Sequence, residues 1–304
     1  MKRYRVIYLD AFTTVPFAGN PCAVLPEPAG LTDEQMQAIA RETNLSETSF
    51  VLPSAQADFR VRYFTPRTEL PFAGHPTIAT AFMLAQEGLI PLQEPATRIE
   101  LEFGIGVLPV EIHVDGGRPV RVVMTQQAPT FGQQFAPRQV APCFGLVASD
   151  LRADCPPQVV GTGVPFLIVP AKDVQVLGRV EMEREALAAL CDRAGVSAAF
   201  MFSIGGFEPD ADTHARLFDP RGTMEDPFTG SASGAMGAYV VHYGLKPGPT
   251  LAAEQGQFVG RPGRGMLEIL GSPEQIESVR LSGAAVKVLE GAFLIADDSD
   301  EVKI

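Results

Sequence analysis

Apolar and basic residues alternate with period two through Phe59-Arg-Val-Arg-Tyr-Phe64, a pattern that predicts a strand with one buried face. Tyr4 to Asp10 and the short apolar run Phe50-Val-Leu52 read as further strands. Phe17-Ala-Gly-Asn-Pro-Cys-Ala-Val24 reads as a turn feeding another strand, with Gly19-Asn20-Pro21 as its tight part. A helical period replaces the alternation after Thr32, which forms a capping box with Gln35. Met36, Ile39 and Ala40 supply its apolar face as far as Thr43. Asn44 to Ser49 is then expected to be a polar connection. A helix from Pro76 to Glu87 is opened by proline and closed by Gly88.

The second half of the chain repeats this order. Glu181 to Ala194 predicts a helix stopped by Gly195, Phe200 to Ile204 and Thr213 to Phe218 predict strands, and Ser231 to Tyr243 predicts a helix stopped by Gly244. Short motifs repeat with the elements. Arg62-Tyr-Phe-Thr-Pro-Arg67 leads to Pro71-Phe-Ala-Gly-His75, and Arg216-Leu-Phe-Asp-Pro-Arg221 leads, with two extra residues, to Pro227-Phe-Thr-Gly-Ser231. The chain therefore reads as two related halves. Thr97 to Phe103, Val107 to Val114 and Pro119 to Met124 are expected strands, with Gly116-Gly117 as a hairpin turn. The expected division is 1–118 and 119–290, with 291–304 as a segment that can join the first half, and a linker between Asp115 and Pro137. Gly161-Thr-Gly-Val-Pro165 lacks the Lys-Ser/Thr of a phosphate loop and reads as a turn before the strand Phe166 to Val169. Met266 to Leu270, Val279 to Leu281 and Val286 to Leu289 are further strands, and Asp297 to Glu301 reads as a solvated charge run.

Composition narrows the partners. A chain of 304 residues that is 46% hydrophobic can build a core in each of two domains. Its net charge of −12, with no Lys/Arg-rich run, argues against nucleic acid. The apolar stretch before Asp10 is too short for a signal peptide, and no segment approaches the roughly 20 apolar residues of a membrane span, so a soluble cytoplasmic protein is expected. Cys22, Cys143, Cys155 and Cys191 form no C-x-x-C pair, and His75, His113, His214 and His242 show no metal-ligand spacing. Neither a disulfide framework, a metal nor another cofactor is expected.

Two segments stand out chemically. Thr77 to Ala85 and Ser231 to Val241 contain no charged residue, so each predicts a helix buried on all sides by its own half's strands. Their N-termini carry Gly74-His75-Pro76 and Gly230-Ser231-Ala232, where free backbone N–H groups and the helix dipole favour an anion. If the halves face each other across a pseudo-twofold axis, both ends can grip one carboxylate; ordinary helix capping is the alternative. The halves also differ. Glu47 in Asn44-Leu-Ser-Glu47 stands opposite Ala198 in Gly195-Val-Ser-Ala198, and Asp226 stands opposite Leu70. A carboxylate beside His75 in a desolvated cleft has the tunable pKa that acid–base catalysis requires. Surface exposure remains the other reading of Glu47, and a turn-capping role that of Asp226.

Phe17-Ala-Gly-Asn-Pro-Cys-Ala-Val, Asn44-Leu-Ser-Glu-Thr, Glu69-Leu-Pro-Phe-Ala-Gly-His-Pro, Asp226-Pro-Phe-Thr-Gly-Ser and Gln255-Gly-Gln-Phe-Val-Gly-Arg-Pro together resemble the phenazine-biosynthesis PhzF-type isomerase family. The resemblance implies an α+β, diaminopimelate-epimerase-like fold with two pseudo-symmetric domains, each a curved, mostly antiparallel sheet wrapped around a central apolar helix. It implies homodimers and cofactor-free proton transfer in a cleft between the domains. By motif position, Glu47 resembles the family's catalytic acid/base, and His75, Asp226 and Ser231 its supporting residues. Gly74, Gly230, Ala232 and Asn20 complete the candidate site as substrate-binding positions. Phe228 stands where the phenazine enzymes typically have Ala. Ala73 and Thr229 stand where related epimerases carry their two catalytic thiols, which excludes two-thiol racemisation on this alignment. The expected function is an isomerase moving a proton within a small carboxylate-bearing molecule. A single-base racemase or epimerase of an amino or hydroxy acid, and a non-catalytic small-acid binding protein, are the alternatives.

Overall fold

Four helical crossovers set the strand directions, because a parallel neighbour needs a crossover where an antiparallel one needs only a turn. The computed structural model describes residues 1–222 and 224–296, so the charge run Asp297 to Glu301 lies outside the described residues. β1 (Lys2–Ala11) is antiparallel to β2 (Asn20–Leu25), and α1 (Asp33–Thr43) returns the chain to β3 (Glu47–Leu52), parallel to β2. β4 (Phe59–Phe64) runs antiparallel to β3 and carries the short β5 (Glu69–Leu70). α2 (Gly74–Gln86) crosses to β6 (Ala96–Phe103), parallel to β4, and β7 (Gly106–Asp115) folds back on β6 before β8 (Arg118–Gln126).

The second half follows the same plan: β9 (Thr130–Gln134), α3 (Pro137–Val140), β10 (Gln158–Gly161), β11 (Pro165–Pro170), α4 (Val174–Gly178), α5 (Arg184–Ala194), β12 (Ala199–Ile204), β13 (Thr213–Phe218), α6 (Gly230–His242), β14 (Thr250–Gln255), β15 (Gly263–Ser272) and β16 (Gln275–Gly283). Its parallel joints are β11 with β12 and β13 with β14, each spanned by helix. β17 (Ala285–Ile295) is the last strand among the described residues.

The chain divides into two units, one of Met1–Val123 with the segment from Ala284 onward, the other of Met124–Gly283. The first division therefore falls within β8 rather than at 118, and the second unit ends before 290. The reason is pairing: β17 lies antiparallel along the whole of β1, from Lys2 opposite Ile295 to Ala11 opposite Ala285. Unit 1 has the strand order β17-β1-β2-β3-β4-β6-β7, and unit 2 the equivalent β9-β10-β11-β12-β13-β14-β15 followed by β16.

Each sheet has a helix on either face, and the period of two sorts the residues between them. In unit 1, Tyr4, Val6, Ala23, Leu25, Phe50 and Phe64 pack with Met36, Ile39 and Ala40 of α1. The alternate positions of the same strands serve the other face, where α2 lies against β1, β2, β3, β7 and β17. Every residue of α2 from His75 to Ala85 is buried. In unit 2, Leu167, Val169, Ala199, Met201 and Phe218 pack with α3, α4 and α5, while α6 lies against β10, β11, β12, β15 and β16. Its residues Ala232 to Val241 are all buried.

The expected polar connection from Asn44 to Ser49 is half strand, because β3 begins at Glu47. Its polar side chains are satisfied on both faces, Thr48 by the Thr43 hydroxyl (2.8 Å) and Ser49 by the Thr80 hydroxyl (2.7 Å), so nothing prevents pairing with β2. Asn20 and Pro21 likewise belong to β2, and the turn sits at Gly19. There φ is +59° and a Cβ would stand 2.1 Å from the Ala11 carbonyl oxygen. The Thr32–Gln35 capping box is present in both directions, at 3.0 and 3.2 Å.

The repeated Arg-x-Phe motif has a structural purpose in each unit. Arg62 grips Glu69 with two hydrogen bonds (2.7 and 2.8 Å) and lies over the Phe64 ring. Arg216 grips Glu225 in the same way (2.9 and 2.7 Å), is held by both the Phe218 and Phe258 rings, and donates to the Leu177 carbonyl oxygen. Both clamps close the base of the loop that delivers the central helix. The second is the more enclosed, with Glu225 15% exposed against 42% for Glu69. Arg216→Ala is therefore expected to destabilise by about 2 kcal/mol, the scale of charge-assisted hydrogen bonds in a half-buried setting. Arg62→Ala is expected to cost about 1 kcal/mol, as at a surface pair; urea midpoints measure both.

His214 supplies a pH test. Its ring is fully buried between Phe207 and Phe258, with Nε2 2.8 Å from Gln257 Oε1. Burial, with the charge of Arg216 adding to it, pushes its pKa down to about 4. The unfolded chain then takes up the proton first as pH falls below about 6.5, so the stability that neutral His214 supports is full above that value and is lost on approach to 4. The expected size is about 3 kcal/mol. It is read as the difference between the urea stability curves of wild type and His214→Gln from pH 7 to 4, in which carboxylates common to both proteins cancel.

Candidate active site

Glu47 owes its position to two local facts. It is the first residue of β3, opposite Cys22 of β2, and the alternation that sends Thr48 and Phe50 toward α1 sends Glu47 and Ser49 toward α2. His75 comes from the first turn of α2, whose N-cap residue Ala73 is extended and makes no side-chain cap. The two meet with His75 Nε2 3.4 Å from Glu47 Oε2, the imidazole 7% and the carboxylate side chain 16% exposed. An acid and a base thus share a mostly dehydrated setting, next to Gly74, whose backbone opens the helix. Around them the groups are held neutral. Burial, with the charge of Glu47 adding to it, pushes the Cys22 thiol well up, and burial raises the Tyr63 phenol as well. Asn20, at the start of β2, is fully buried.

In unit 2 the loop Asp226-Pro227-Phe228-Thr229 brings the chain to α6. Thr229 is the N-cap residue but makes no side-chain cap; its hydroxyl instead donates to Asp226 Oδ2 (2.5 Å). Gln255 of β14 fastens both ends of the loop, donating from Nε2 to the Asp226 carbonyl oxygen (2.7 Å) and accepting at Oε1 from the Thr229 N–H (2.8 Å). Gly256 allows the close approach, since a Cβ there would lie 2.7 Å from the Pro227 carbonyl oxygen. Phe228 is fully buried.

The start of α6 is held from a second side. Gln126 donates to the Gly230 carbonyl oxygen (3.0 Å) and accepts from the Thr162 hydroxyl (2.5 Å), lying where a Cβ on Gly234 would collide with it. Ser231 is half-buried in the first turn, and Ala232 is fully buried behind it.

Of the residues singled out from the sequence, unit 1 brings Glu47 and His75 into contact beside Gly74, and unit 2 gathers Asp226, Gly230 and Ser231 at one helix end. Sequence reasoning missed Gln255 and Gln126. Gln255 begins one of the motif segments and was available as a signal; Gln126 carries none. Among the described residues no group of three or more His, Cys, Asp or Glu side chains comes together as a metal site, and no helix is long and apolar enough to cross a membrane.

Comparison with known proteins places the chain in a family. Residues 9–291 match the PhzC-PhzF family, described as phenazine biosynthesis-like protein. The crystal structure of the Bacillus anthracis phenazine biosynthesis protein of the PhzF family superposes with a TM-score of 0.87 at 34% identity, covering 97% of this chain and 100% of the other. The trans-2,3-dihydro-3-hydroxyanthranilate isomerase of Pseudomonas aeruginosa is 33% identical over 95% of this chain and 98% of its own. The uncharacterized isomerase YfhB of Bacillus subtilis is 32% identical over 94% and 97%. With the duplicated α+β plan, in which a sheet wraps one buried helix in each unit, these matches mean that the chain has the diaminopimelate-epimerase-like fold and belongs to the PhzC-PhzF phenazine biosynthesis-like family of isomerases.

Proposed function

We propose that this isomerase moves a proton between two carbons of a small carboxylate-bearing substrate without a cofactor, with Glu47 as the acid/base. The observation that carries the reading is the Glu47–His75 contact: a carboxylate and an imidazole 3.4 Å apart, both largely withdrawn from water. That distance is longer than an ideal hydrogen bond, as is common for catalytic contacts before substrate tightens them. Glu47 would take the proton from one carbon, the electron pair would shift along the unsaturated system, and Glu47 would return the proton to another carbon. Nothing is gained or lost overall. His75 would hold the carboxylate in place and bond to whichever form it takes.

Two further features support this route. Ala73 and Thr229, the N-cap residues of the two central helices, carry no thiol, so proton transfer needs another group. The uncapped first turn of each central helix, at Gly74 in unit 1 and at Gly230-Ser231 in unit 2, presents backbone N–H groups suited to an anion such as a carboxylate, and Asn20 and Asp226 are the candidate polar groups, one in each unit. The substrate class we favour is a cyclic, unsaturated amino or hydroxy carboxylic acid, as the name of the Pseudomonas relative suggests. A homodimer is the working form supported by the family resemblance, and sedimentation velocity reads it.

The experiment is solvent deuterium incorporation into a panel of cyclohexadiene carboxylic acids. Glu47→Gln, which keeps the shape and removes the exchangeable acid, is expected to slow incorporation by roughly 10²- to 10⁴-fold, while a carboxylate ligand still binds. Equal incorporation by both proteins would show that Glu47 is not the base. Ser231→Ala is expected to raise KM about fivefold with kcat nearly unchanged, the signature of a lost binding hydrogen bond.

A further inference from the structure

α2 is enclosed on every side, yet its buried stretch includes Thr77 and Thr80, neither with any exposed surface. Their hydroxyls tie the helix to two neighbouring strands, β4 and β3. Thr77 Oγ1 donates to the Ala73 carbonyl oxygen (2.7 Å), so its single hydrogen is used and it must accept from the Tyr63 hydroxyl, also at 2.7 Å. Thr80 is bonded separately, to the Ser49 hydroxyl of β3 at 2.7 Å. Burial keeps the Tyr63 phenol neutral and therefore a donor. The result is two hydroxyl ties to α2, one from Tyr63 through Thr77 to the Ala73 carbonyl and one between Ser49 and Thr80. Their places are significant: Ser49 lies two residues beyond Glu47 on the same face of β3, and Ala73 lies two residues before His75.

The duplicated unit shows that the fold does not require these two ties. Matching the repeats and their strand register puts Phe200 where unit 1 has Ser49, Leu217 where it has Tyr63, Met236 where it has Thr80, and Ser233 where it has Thr77. The same layer between sheet and helix is thus filled mainly by apolar side chains in the half that has Ala198 instead of Glu47. A buried polar network is retained at a cost relative to apolar packing unless it specifies a geometry.

We infer that Tyr63, through Thr77, is a positioning residue: from β4, where it pairs with Ser49 of β3, it holds the first turn of α2 and so fixes His75 relative to Glu47. The inference rests on the acid/base reading of that pair. Tyr63→Phe and Thr77→Val each delete one hydroxyl, and Thr77→Ser keeps it. In the deuterium assay the first two are expected to lower kcat by roughly 10- to 100-fold, the scale of a small misplacement of a reacting group, with KM little changed and melting temperature retained, while Thr77→Ser restores kcat. Unchanged kcat in folded Tyr63→Phe and Thr77→Val, or a loss in Thr77→Ser equal to that in Thr77→Val, overturns the inference. Ser49→Ala, which removes the tie between β3 and Thr80, replaces either variant if it does not fold. A second readout needs no substrate: the His75 ring proton signals are expected to move in Tyr63→Phe and Thr77→Val and to stay in place in Thr77→Ser. Signals that stay in place in all three also overturn it, whereas a substrate panel that gives no exchange with wild type counts against the isomerase substrate class alone.

Discussion

A helix enclosed on all sides by a sheet is the constraint from which the rest of this structure follows. Water cannot reach the flanks of α2 or α6, so their side chains must be apolar, small, or hydrogen-bonded within the protein. Glycine at 237 illustrates how tight the enclosure is, since a Cβ there would lie 2.9 Å from Leu267 Cδ1. The only backbone polar groups left without partners inside such a helix are those of its ends. Polar contacts therefore gather where the helix begins, and the loops that deliver the first turn are held by side-chain hydrogen bonds.

The holding devices differ between the units. Both use an arginine–glutamate clamp stacked on phenylalanine. Unit 2 adds Gln255 and Gln126, which tie the approach to α6 through its backbone carbonyl and N–H groups. Unit 1 instead ties the helix through hydroxyls to the strand that carries Glu47. Duplication supplied one scaffold twice, and the polar contacts grafted on it diverged.

The helices, most of the strands and the repeat were legible in the sequence because each is a local pattern: a capping box, a run without charge, an alternation. Glu47 was legible for another reason, as the place where one copy carries a charge and the other a methyl. What escaped depends on partners distant in the chain. β3 starts at Glu47 because Thr48 and Ser49 are satisfied by Thr43 and Thr80, and residue types alone favour a loop there. β14 and its Gln255 were missed because Thr250–Gln255 is neither apolar nor strictly alternating, and its burial comes from β13 and β15 on either side. The Arg-x-Phe repeat was visible as letters, but its purpose required Glu69 and Glu225, which lie beyond the motif.

The pairing of β17 with β1 bears on how the chain is assembled during synthesis. Unit 2 is one uninterrupted stretch and can close as soon as it has left the ribosome. Unit 1 emerges first but has to wait, with the outer edge of β1 unpaired, until every residue of unit 2 has been made and β17 arrives. An open strand edge of ten residues is an invitation to pair with another nascent chain. Lys2, Arg3 and Arg5 place cations along that edge, and this repulsion can guard the half-built sheet until its last strand is delivered.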